Sequence, residues 1–267
     1  MQNKSRKSKH LLKLLLVGLG SLGLSATLKA AKAGDKLKTE QESKVFTVVQ
    51  KPLVNVETFD GVITVHTWDK SEVKVTALKR AQDAEEMRGV SVRTEQNGSE
   101  IRVVAAFDNA FKREVNFNGK RVLSSSASVD LELYVPRESS LEAKTSDGAI
   151  TVEGGQGSLK ARTSDGSINV SNFTGDAEVH TDDGAVKLSG RFAQLKASTA
   201  DGSISLALPS DFNATIETTS QSVHNSNGVV TAEGPGNAQT RRWRAGAGGN
   251  LLTLRADRGG ISFRRQT

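Results

Sequence analysis

Apolar and polar residues alternate through most of the chain after residue 45, which is the pattern of β-strands with one buried face. Between residues 141 and 206 this alternation forms two short runs per unit, and the tetrad Thr-x-Asp-Gly separates the two runs. The tetrad recurs every eighteen residues, at Asp147–Gly148, Asp165–Gly166, Asp183–Gly184 and Asp201–Gly202. A fixed period of this length is typical of a unit that buries its apolar face only by stacking on copies of itself.

Each unit, which we call a rung, therefore predicts two strands and two turns. At each turn, Gly supplies a positive φ and the Asp carboxylate is expected to accept nearby backbone N–H groups. We predict an all-β fold in which the rungs form a parallel β-solenoid, or β-helix. One column of side chains should be buried: Ile150, Ile168, Val186 and Ile204. An outward column should alternate in charge and fix the register of neighbouring strands: Glu142, Lys160, Glu178 and Lys196.

Less regular copies flank the four tandem rungs. One copy, at 54–65, stands alone in the sequence. Another, at 214–223, has Ser220-Gln221 where Asp-Gly is expected, and a last one, at 252–263, has Arg258-Gly259. Residues 224–249 are rich in Gly and Asn and are interpreted as an insertion. The predicted solenoid region is 137–267, and its terminal rungs are atypical as a stack requires.

The chain before residue 137 is organised differently. Residues 34–44 are charged and predict a linker, and 45–136 predict an N-terminal β region with one short helix within 81–88. Within it, Asp69–Ser71 and Asn97–Gly98 predict hairpin turns. Residues 108–127 show no clear period and predict a mobile loop.

The first 33 residues have the composition of a secretory signal peptide. Basic residues precede an apolar stretch from Leu11 to Leu28, and Ala31-Lys32-Ala33 forms a cleavage site before Gly34. An uncleaved membrane anchor is the alternative, although the apolar run is short and rich in glycine for a span. The protein is thus expected to be exported, to the periplasm or to the cell surface.

This leader accounts for the positive charge of the chain. It holds seven basic residues and no acidic one, whereas the remainder has 29 basic and 30 acidic side chains, a net charge of −1. The composition therefore gives no evidence for nucleic-acid binding. An arginine cluster near the C-terminus is interpreted as a solvated face, with anionic lipid or glycan as the alternative ligand: Arg241, Arg242, Arg244, Arg255, Arg258, Arg264 and Arg265. There is no Cys, which excludes disulfides and thiolate metal sites.

Motifs of enzymatic chemistry are weak in this sequence. Gly18-x-Gly20-x-x-Gly23 matches a dinucleotide fingerprint, but it lies inside the leader without a strand–helix context. His66, His180 and His224 are far apart in sequence and are interpreted as surface residues. No Ser lies in a nucleophile elbow.

The four stacked Asp residues are the most suggestive chemical feature. They could bind calcium or act as an acid/base pair, and like charges at rung spacing would raise one another's pKa. The favoured interpretation is that each Asp caps its own turn. The glycine-rich repeat of calcium β-rolls is incomplete here, because Leu159 stands where Asp is required. We therefore assign no catalytic, cofactor-binding or metal-ligating residue and expect no cofactor.

Three segments together resemble a bacterial family of putative adhesins, the domain of unknown function 4097. They are "VNVETFDGVITVHTWDKSEVKVTALKR", "VDLELYVPRESSLEAKTSDGAITVEGGQGSLKARTSDGSINV" and "LLTLRADRGGISF". The resemblance covers about 45 to 265 and implies a β-helix exported to the cell envelope. It supplies no site residues, and here Arg258 and Ser220 replace the more usual acidic or amide turn residue.

Two functions are compatible with this sequence. The favoured one is a non-catalytic, adhesin-like or envelope-sensing protein that binds through a repetitive polar face. Its partner would be a cell-surface polysaccharide or another envelope protein, with no nucleic acid, and with the membrane reached only through an uncleaved leader. The alternative is a carbohydrate-active β-helix enzyme, a hydrolase or lyase, that uses the stacked Asp residues.

Overall fold

The computed structural model describes residues 37–49, 51–234 and 240–266, so the predicted leader lies outside the described residues. The strands are β1 (Lys38–Thr47), β2 (Leu53–Asp60), β3 (Ile63–Trp68), β4 (Glu72–Ala81), β5 (Val90–Asn97), β6 (Glu100–Phe107), β7 (Arg113–Phe117), β8 (Lys120–Ser124), β9 (Ser128–Pro136), β10 (Ser140–Asp147), β11 (Ile150–Glu153), β12 (Gln156–Asp165), β13 (Ile168–Asp183), β14 (Val186–Asp201), β15 (Ile204–Leu208), β16 (Ala214–Asn225), β17 (Thr231–Ala232), β18 (Arg241–Ala245) and β19 (Asn250–Arg265). One α-helix, α1 (Ala84–Arg88), lies within the predicted helical segment, and single 3₁₀ turns occupy 109–111 and 226–228. The described chain is thus nearly all β, as predicted.

The tandem rungs pair in parallel at the repeat spacing. Leu141 is paired with Leu159, Leu159 with Ala177, and Ala177 with Leu195. The second runs pair in the same way, and their shared column is fully buried: Ile150, Ile168, Val186 and Ile204. Each rung therefore contributes one strand to a first layer and one to a second layer, and the alternating apolar side chains of both layers join one core.

The isolated early copy is the neighbour of the tandem rungs in space. Val54 is paired with Leu141, and Ile63 with Ile150. Residues 69–136 are an excursion that covers this end of the stack, with β6 and β5 added to the first layer and β9 and β4 to the second. β1, from before the early copy, pairs with β4 at the edge of the second layer. Several of these pairings are antiparallel, so the strand directions are mixed and the molecule as a whole departs from the parallel solenoid that we predicted.

Two predictions for this region were wrong. Most of the supposed linker 34–44 belongs to β1, because its alternating residues pair antiparallel with β4 along ten positions, from Lys38 opposite Ala81 to Thr47 opposite Glu72. The Asp69–Ser71 turn joins strands that are not neighbours, since β9 lies between β3 and β4. Asn97–Gly98 does begin a hairpin turn, between β5 and β6.

At the other end, the spatial order of the last rungs differs from their sequence order. β19 stacks directly on β14, with Leu195 opposite Leu252, and β16 pairs with the outer side of β19. The antiparallel strands β18 and β17, from the predicted insertion, extend this edge. The glycine at the turn of β19 explains why β19, and not β16, packs on β14. A Cβ on Gly259 would overlap the Gly202 carbonyl oxygen, whereas β16 has Ser220 at its turn and lies at the outer position.

The segment predicted to be a mobile loop contains a β-hairpin. β7 and β8 pair with each other and form a separate two-stranded sheet, joined at Asn118–Gly119, where both residues have positive φ. The Asn-Gly pair is a strong hairpin signal, but β7 and β8 are almost wholly exposed, so no buried periodicity marks them. None of the helices in the described part of the chain is long and apolar enough to cross a membrane.

Candidate functional site

The repeated tetrad builds a turn that joins each rung to the one before it. The Thr163 side chain is buried, and its hydroxyl donates to the Gly148 carbonyl oxygen at 3.0 Å. In return, the Gly148 N–H donates to the Asp165 carbonyl oxygen at 2.8 Å. Gly166 has a φ of +151°, and an added Cβ would overlap the Gly148 carbonyl. Threonine and glycine therefore satisfy the backbone of the turn and set the close approach of the rungs.

This geometry corrects the capping role predicted for the Asp side chains. The Asp147, Asp165 and Asp183 side chains are exposed, and no hydrogen bond from the described residues reaches their carboxylates. Near Asp165, the Gly166 and Ile168 N–H groups donate instead to the Asp183 and Ala185 carbonyl oxygens of the next rung. The column is a row of solvated carboxylates along one edge of the stack.

At each end of this Asp column, an aspartate is paired with an arginine. At one end, Asp201 accepts from Arg258 Nε at 2.6 Å. At the other end, the column continues to Asp60 and the adjacent Asp130, which forms an ion pair with Arg80 at 2.6 Å. Partial burial, followed by the negative charges of Asp147 and Asp130, raises the pKa of Asp60 above its ordinary value. Within the described residues, no group of three or more potential ligands could hold a metal ion.

A second constellation, which we call the aromatic–carboxylate cluster, lies on the solvent face of the second layer. It consists of His66, Trp68, Glu132, Tyr134 and Glu153. Parallel and antiparallel pairing across β11, β3, β9 and β4 aligns Glu153 with His66, His66 with Tyr134, and Tyr134 with Lys74. Val65, Leu133 and Val152, which alternate with cluster residues along these strands, are buried, so the cluster lies on the outer face.

The cluster is tied together by stacking and by hydrogen bonds to carboxylates. The His66 and Tyr134 rings stack with centroids 4.9 Å apart, and the Trp68 ring lies 5.3 Å from Tyr134. His66 Nδ1 lies 2.9 Å from Glu153 Oε2, and His66 Nε2 lies 3.6 Å from Glu132 Oε1. The Trp68 indole donates to the Glu72 carbonyl oxygen at 2.8 Å. The rings therefore face one another and present their edges, together with two half-exposed carboxylates, to solvent.

The electrostatics of the cluster are dominated by its carboxylates. The charge of Glu132, with some desolvation and a 3.3 Å hydrogen bond from the Tyr134 hydroxyl, raises the pKa of Tyr134 above its ordinary value. Lys74 lies 5.8 Å from the centre of the Tyr134 ring and Lys70 4.7 Å from that of Trp68, so cations flank the aromatic row. Such a surface can donate and accept hydrogen bonds beside apolar ring edges.

Sequence reasoning missed this cluster because its members come from three strands, β3, β9 and β11, which are far apart in sequence. In the sequence, His66 is far from the other histidines and indicates only a surface residue. The one available signal was compositional: the only Tyr in the chain and one of its two Trp residues occur at polar positions of alternating strands. Pairing β9 between β3 and β4, which brings Tyr134 to His66, cannot be read from the spacing.

The other predicted site candidates stay apart. His180 occupies the outward column with Arg162 and Ser198, and contacts Ser198 Oγ at 2.8 Å, while His224 is exposed on β16. The arginine cluster is largely paired: Arg242 with Glu217 at 2.7 Å, Arg244 with Glu233 at 3.2 Å, Arg255 with Asp257 at 2.6 Å, and Arg258 with Asp201. These acidic partners remove much of its attraction for anions.

The predicted charge ladder forms on the outer face of the first layer. Glu142, Lys160, Glu178 and Lys196 occupy aligned positions, and Lys160 Nζ lies 3.2 Å from Glu142 Oε1. A shallow depression of about 370 Å³ runs beside this ladder, and another of about 420 Å³ lies near Asn172 and Arg191. Neither depression is lined by a residue of the Asp column or of the aromatic–carboxylate cluster.

The chain belongs to the Toastrack family, DUF4097, whose profile matches residues 23–264. The resemblance drawn from the sequence is thereby confirmed. No curated protein matches the chain.

Two solved structures are similar to this one at low sequence identity. One is a putative cell adhesion protein from Clostridium sporogenes ATCC 15579, with 13% identity, a TM-score of 0.46 and coverage of 86% of this chain and 100% of that one. The other is a putative adhesin from Bacteroides fragilis NCTC 9343, with 12% identity, a TM-score of 0.36 and coverage of 84% of this chain and 96% of that one.

Proposed function

We propose that this protein is an exported, non-catalytic envelope protein that binds polysaccharide, or another envelope component, in an adhesin-like manner. In this proposal the paired rungs act as a short β-solenoid that displays a repetitive polar face. The leader sequence supports export, and the adhesion-related descriptions of two distant structures are in keeping with such a role without adding weight to it. The N-terminus of protein isolated from the envelope, expected at Gly34, tests the export.

The observation that favours binding is the aromatic–carboxylate cluster. Tyr134, His66 and Trp68 offer ring edges beside Glu132 and Glu153, whose carboxylates can accept hydrogen bonds from sugar hydroxyls. From this cluster, a row of aligned polar side chains continues along the second layer: Thr151, Asn169, Lys187 and Ser205. An extended polymer that contacts the cluster could follow this row, and weak contacts repeated along it would add through multivalency.

A screen of purified glycans and cell-wall fractions, with matched variants, tests this proposal. Tyr134→Ala and Glu132→Gln should each weaken binding by about tenfold, the scale of one lost hydrogen bond to a charged group or one ring contact. Glu142→Gln is the control, because Glu142 is an exposed, ion-paired glutamate on the other layer. Equal binding by all three variants would remove the cluster from the proposal, and an absence of any glycan ligand would direct the search to envelope proteins.

One observation favours the alternative, a carbohydrate-active enzyme. Asp60 and Asp147 are aligned neighbours, and partial burial together with nearby negative charge raises the pKa of Asp60, as a general acid requires. Asp147, Asp165 and Asp183 are exposed, whereas a general acid and its partner act in an enclosed site, so we favour the binding role. Hydrolysis and lyase assays on every bound polysaccharide decide between the two. Turnover that is lost in Asp60→Asn or Asp165→Asn would establish the enzyme.

A further inference from the structure

The β7–β8 hairpin is the part of the described chain with the densest set of exposed apolar side chains. Phe117 is 66% exposed, Leu123 64%, Val122 42% and Val115 40%. Val115 and Val122 are directly paired, and Phe117 is on the same side of β7 two residues further on, so these three share one face of the ribbon. A two-stranded ribbon is at best marginally stable alone, and an exposed apolar group of this kind usually marks an interaction surface.

Basic residues surround this apolar face. Lys112, Arg113, Lys120 and Arg121 lie within residues 112–124, against a single acidic residue, Glu114. Arg121 is paired with Glu114 at 3.4 Å, and Arg113 donates a hydrogen bond to Asp83 at the base of the ribbon. Lys120 is paired in register with Phe117 across the Asn118–Gly119 turn, and no acidic partner for it is found among the described residues. The tip therefore combines a protruding aromatic ring with an uncompensated ammonium group.

The base of the hairpin is fixed to the body by a buried carboxylate. Glu86 in α1 is fully buried, and its carboxylate accepts from the Gln82 N–H at 2.6 Å, the Ser126 N–H at 2.8 Å and the Ser125 hydroxyl at 2.9 Å. Arg113, at the start of β7, donates to Gln82 and to Asp83. Because Ser125 and Ser126 directly follow β8, these bonds hold both strands at their root and give the ribbon a defined direction.

The hairpin emerges beside the point where the described chain begins. Lys38 is paired with Ala81, and Ser128, just after the hairpin, is paired with Arg80. Gln82 and Asp83, which hold Arg113, directly follow Ala81. The apolar stretch of the leader ends at Leu28, nine residues before Leu37, a span of no more than about 32 Å of extended chain. If the leader were retained as an anchor, the alternative to cleavage before Gly34, this corner of the fold would lie within about that distance of the bilayer.

We propose that the β7–β8 hairpin docks on an anionic phospholipid surface. Phe117, Val115 and Val122 enter the interfacial region, and Lys120 and Lys112 contact lipid phosphates. This arrangement is that of interfacial segments, in which apolar and aromatic groups enter the headgroup boundary and basic residues strengthen binding to an anionic surface. A second copy of the chain, packed on the same face, is the competing occupant.

The absence of Cys allows a direct test in the processed protein that begins at Gly34, where the apolar leader cannot itself insert into the vesicles. A polarity-sensitive fluorophore is attached to Phe117→Cys and, as a control, to Leu251→Cys, an apolar site that is 50% exposed at the opposite end of the stack. Vesicles of phosphatidylcholine alone and of phosphatidylcholine with phosphatidylglycerol are compared, with brominated lipids as quenchers. The label at 117 should shift to a nonpolar signal and be quenched on anionic vesicles, while the label at 251 should not change.

Charge variants separate lipid docking from self-association. Lys120→Gln combined with Lys112→Gln should weaken the response at residue 117 on the order of tenfold, and 0.5 M salt should do the same. Circular dichroism checks that these exposed substitutions leave the fold intact. An aqueous signal at residue 117 on both kinds of vesicle overturns the proposal. A nonpolar signal that depends on protein concentration, without vesicles, also overturns it and assigns the face to a second copy.

Discussion

The central rungs, residues 140–206, and the β7–β8 hairpin are both made of short strands and glycine turns, yet different interactions hold them. In the rungs, every turn glycine touches the copy before it, and each threonine hydroxyl bonds to that copy as well. In the hairpin, Gly119 has nothing within 4 Å of the place where a Cβ would lie, and the ribbon depends on Glu86 at its root. Contacts between copies thus constrain the rungs at every turn, whereas one polar anchor constrains the hairpin.

Gly166→Ala should be the most damaging change. At a φ of +151°, the new Cβ would overlap the carbonyl oxygen of Gly148, which is backbone and cannot rotate away. We expect a loss of about 3 kcal/mol or more in the free energy of unfolding, measured by urea denaturation. The matched control is Gly119→Ala, which is subject only to the strain of positive φ and should cost about 1 kcal/mol. Similar losses for the two variants would contradict the proposed difference between rung and hairpin glycines.

The same contrast explains how much of the fold the sequence predicts. The rungs were predictable because one local pattern repeats and its neighbours in sequence are its neighbours in space, as with Leu141 and Leu159. The insertion of β9 between β3 and β4, and of β19 between β14 and β16, rests on long-range pairing that no local pattern encodes. The aromatic–carboxylate cluster was missed for this reason.

The role expected for Asp165 was wrong for a different reason. The tetrad offers two side chains that could bond to the turn, and sequence alone does not say which one faces inward. In the structure Thr163 is buried and Asp165 exposed. The alternation that starts at Leu159 and Ala161 includes Thr163, so the inward position of the threonine was available as a signal.

Glu86→Ala should have the next largest effect. It leaves the Gln82 and Ser126 N–H groups and two serine hydroxyls without their acceptor in a buried site. We expect a loss of about 2–4 kcal/mol, together with faster hydrogen exchange and proteolysis in β7 and β8. Glu85→Ala, in the same helix but 78% exposed, is the control and should change stability by less than about 0.5 kcal/mol. Unchanged exchange in the hairpin would show that other contacts hold it.

The contribution of the Glu86 carboxylate to the free energy of unfolding should also depend on pH. Burial alone would raise the pKa of Glu86, but hydrogen bonds from Gln82, Ser126 and Ser125 outweigh burial and lower this pKa below its ordinary value of 4.5. A lowered pKa means that the carboxylate stabilises the fold above pH 4.5 and that this contribution is lost as the pH falls through the folded-state pKa. The difference in unfolding free energy between the parent and Glu86→Gln should therefore be largest at neutral pH and shrink below pH 4.5.

The smallest expected changes in stability distinguish the role of the threonine side chain of the tetrad from that of the aspartate. Thr163→Val keeps the shape of a buried side chain but removes the hydroxyl that donates to the Gly148 carbonyl oxygen, so it should cost about 1 kcal/mol. Asp165→Ala removes an exposed carboxylate with aligned carboxylates on both sides, Asp147 and Asp183, and should change stability by less than about 0.5 kcal/mol. Thermal melts in calcium and in chelator complete the comparison, and neither variant nor the parent should respond to the metal. A calcium-dependent rise in the melting temperature of the parent that disappears in Asp165→Ala would instead make the Asp column a cation site, since the carboxylate is the ligand that this variant removes.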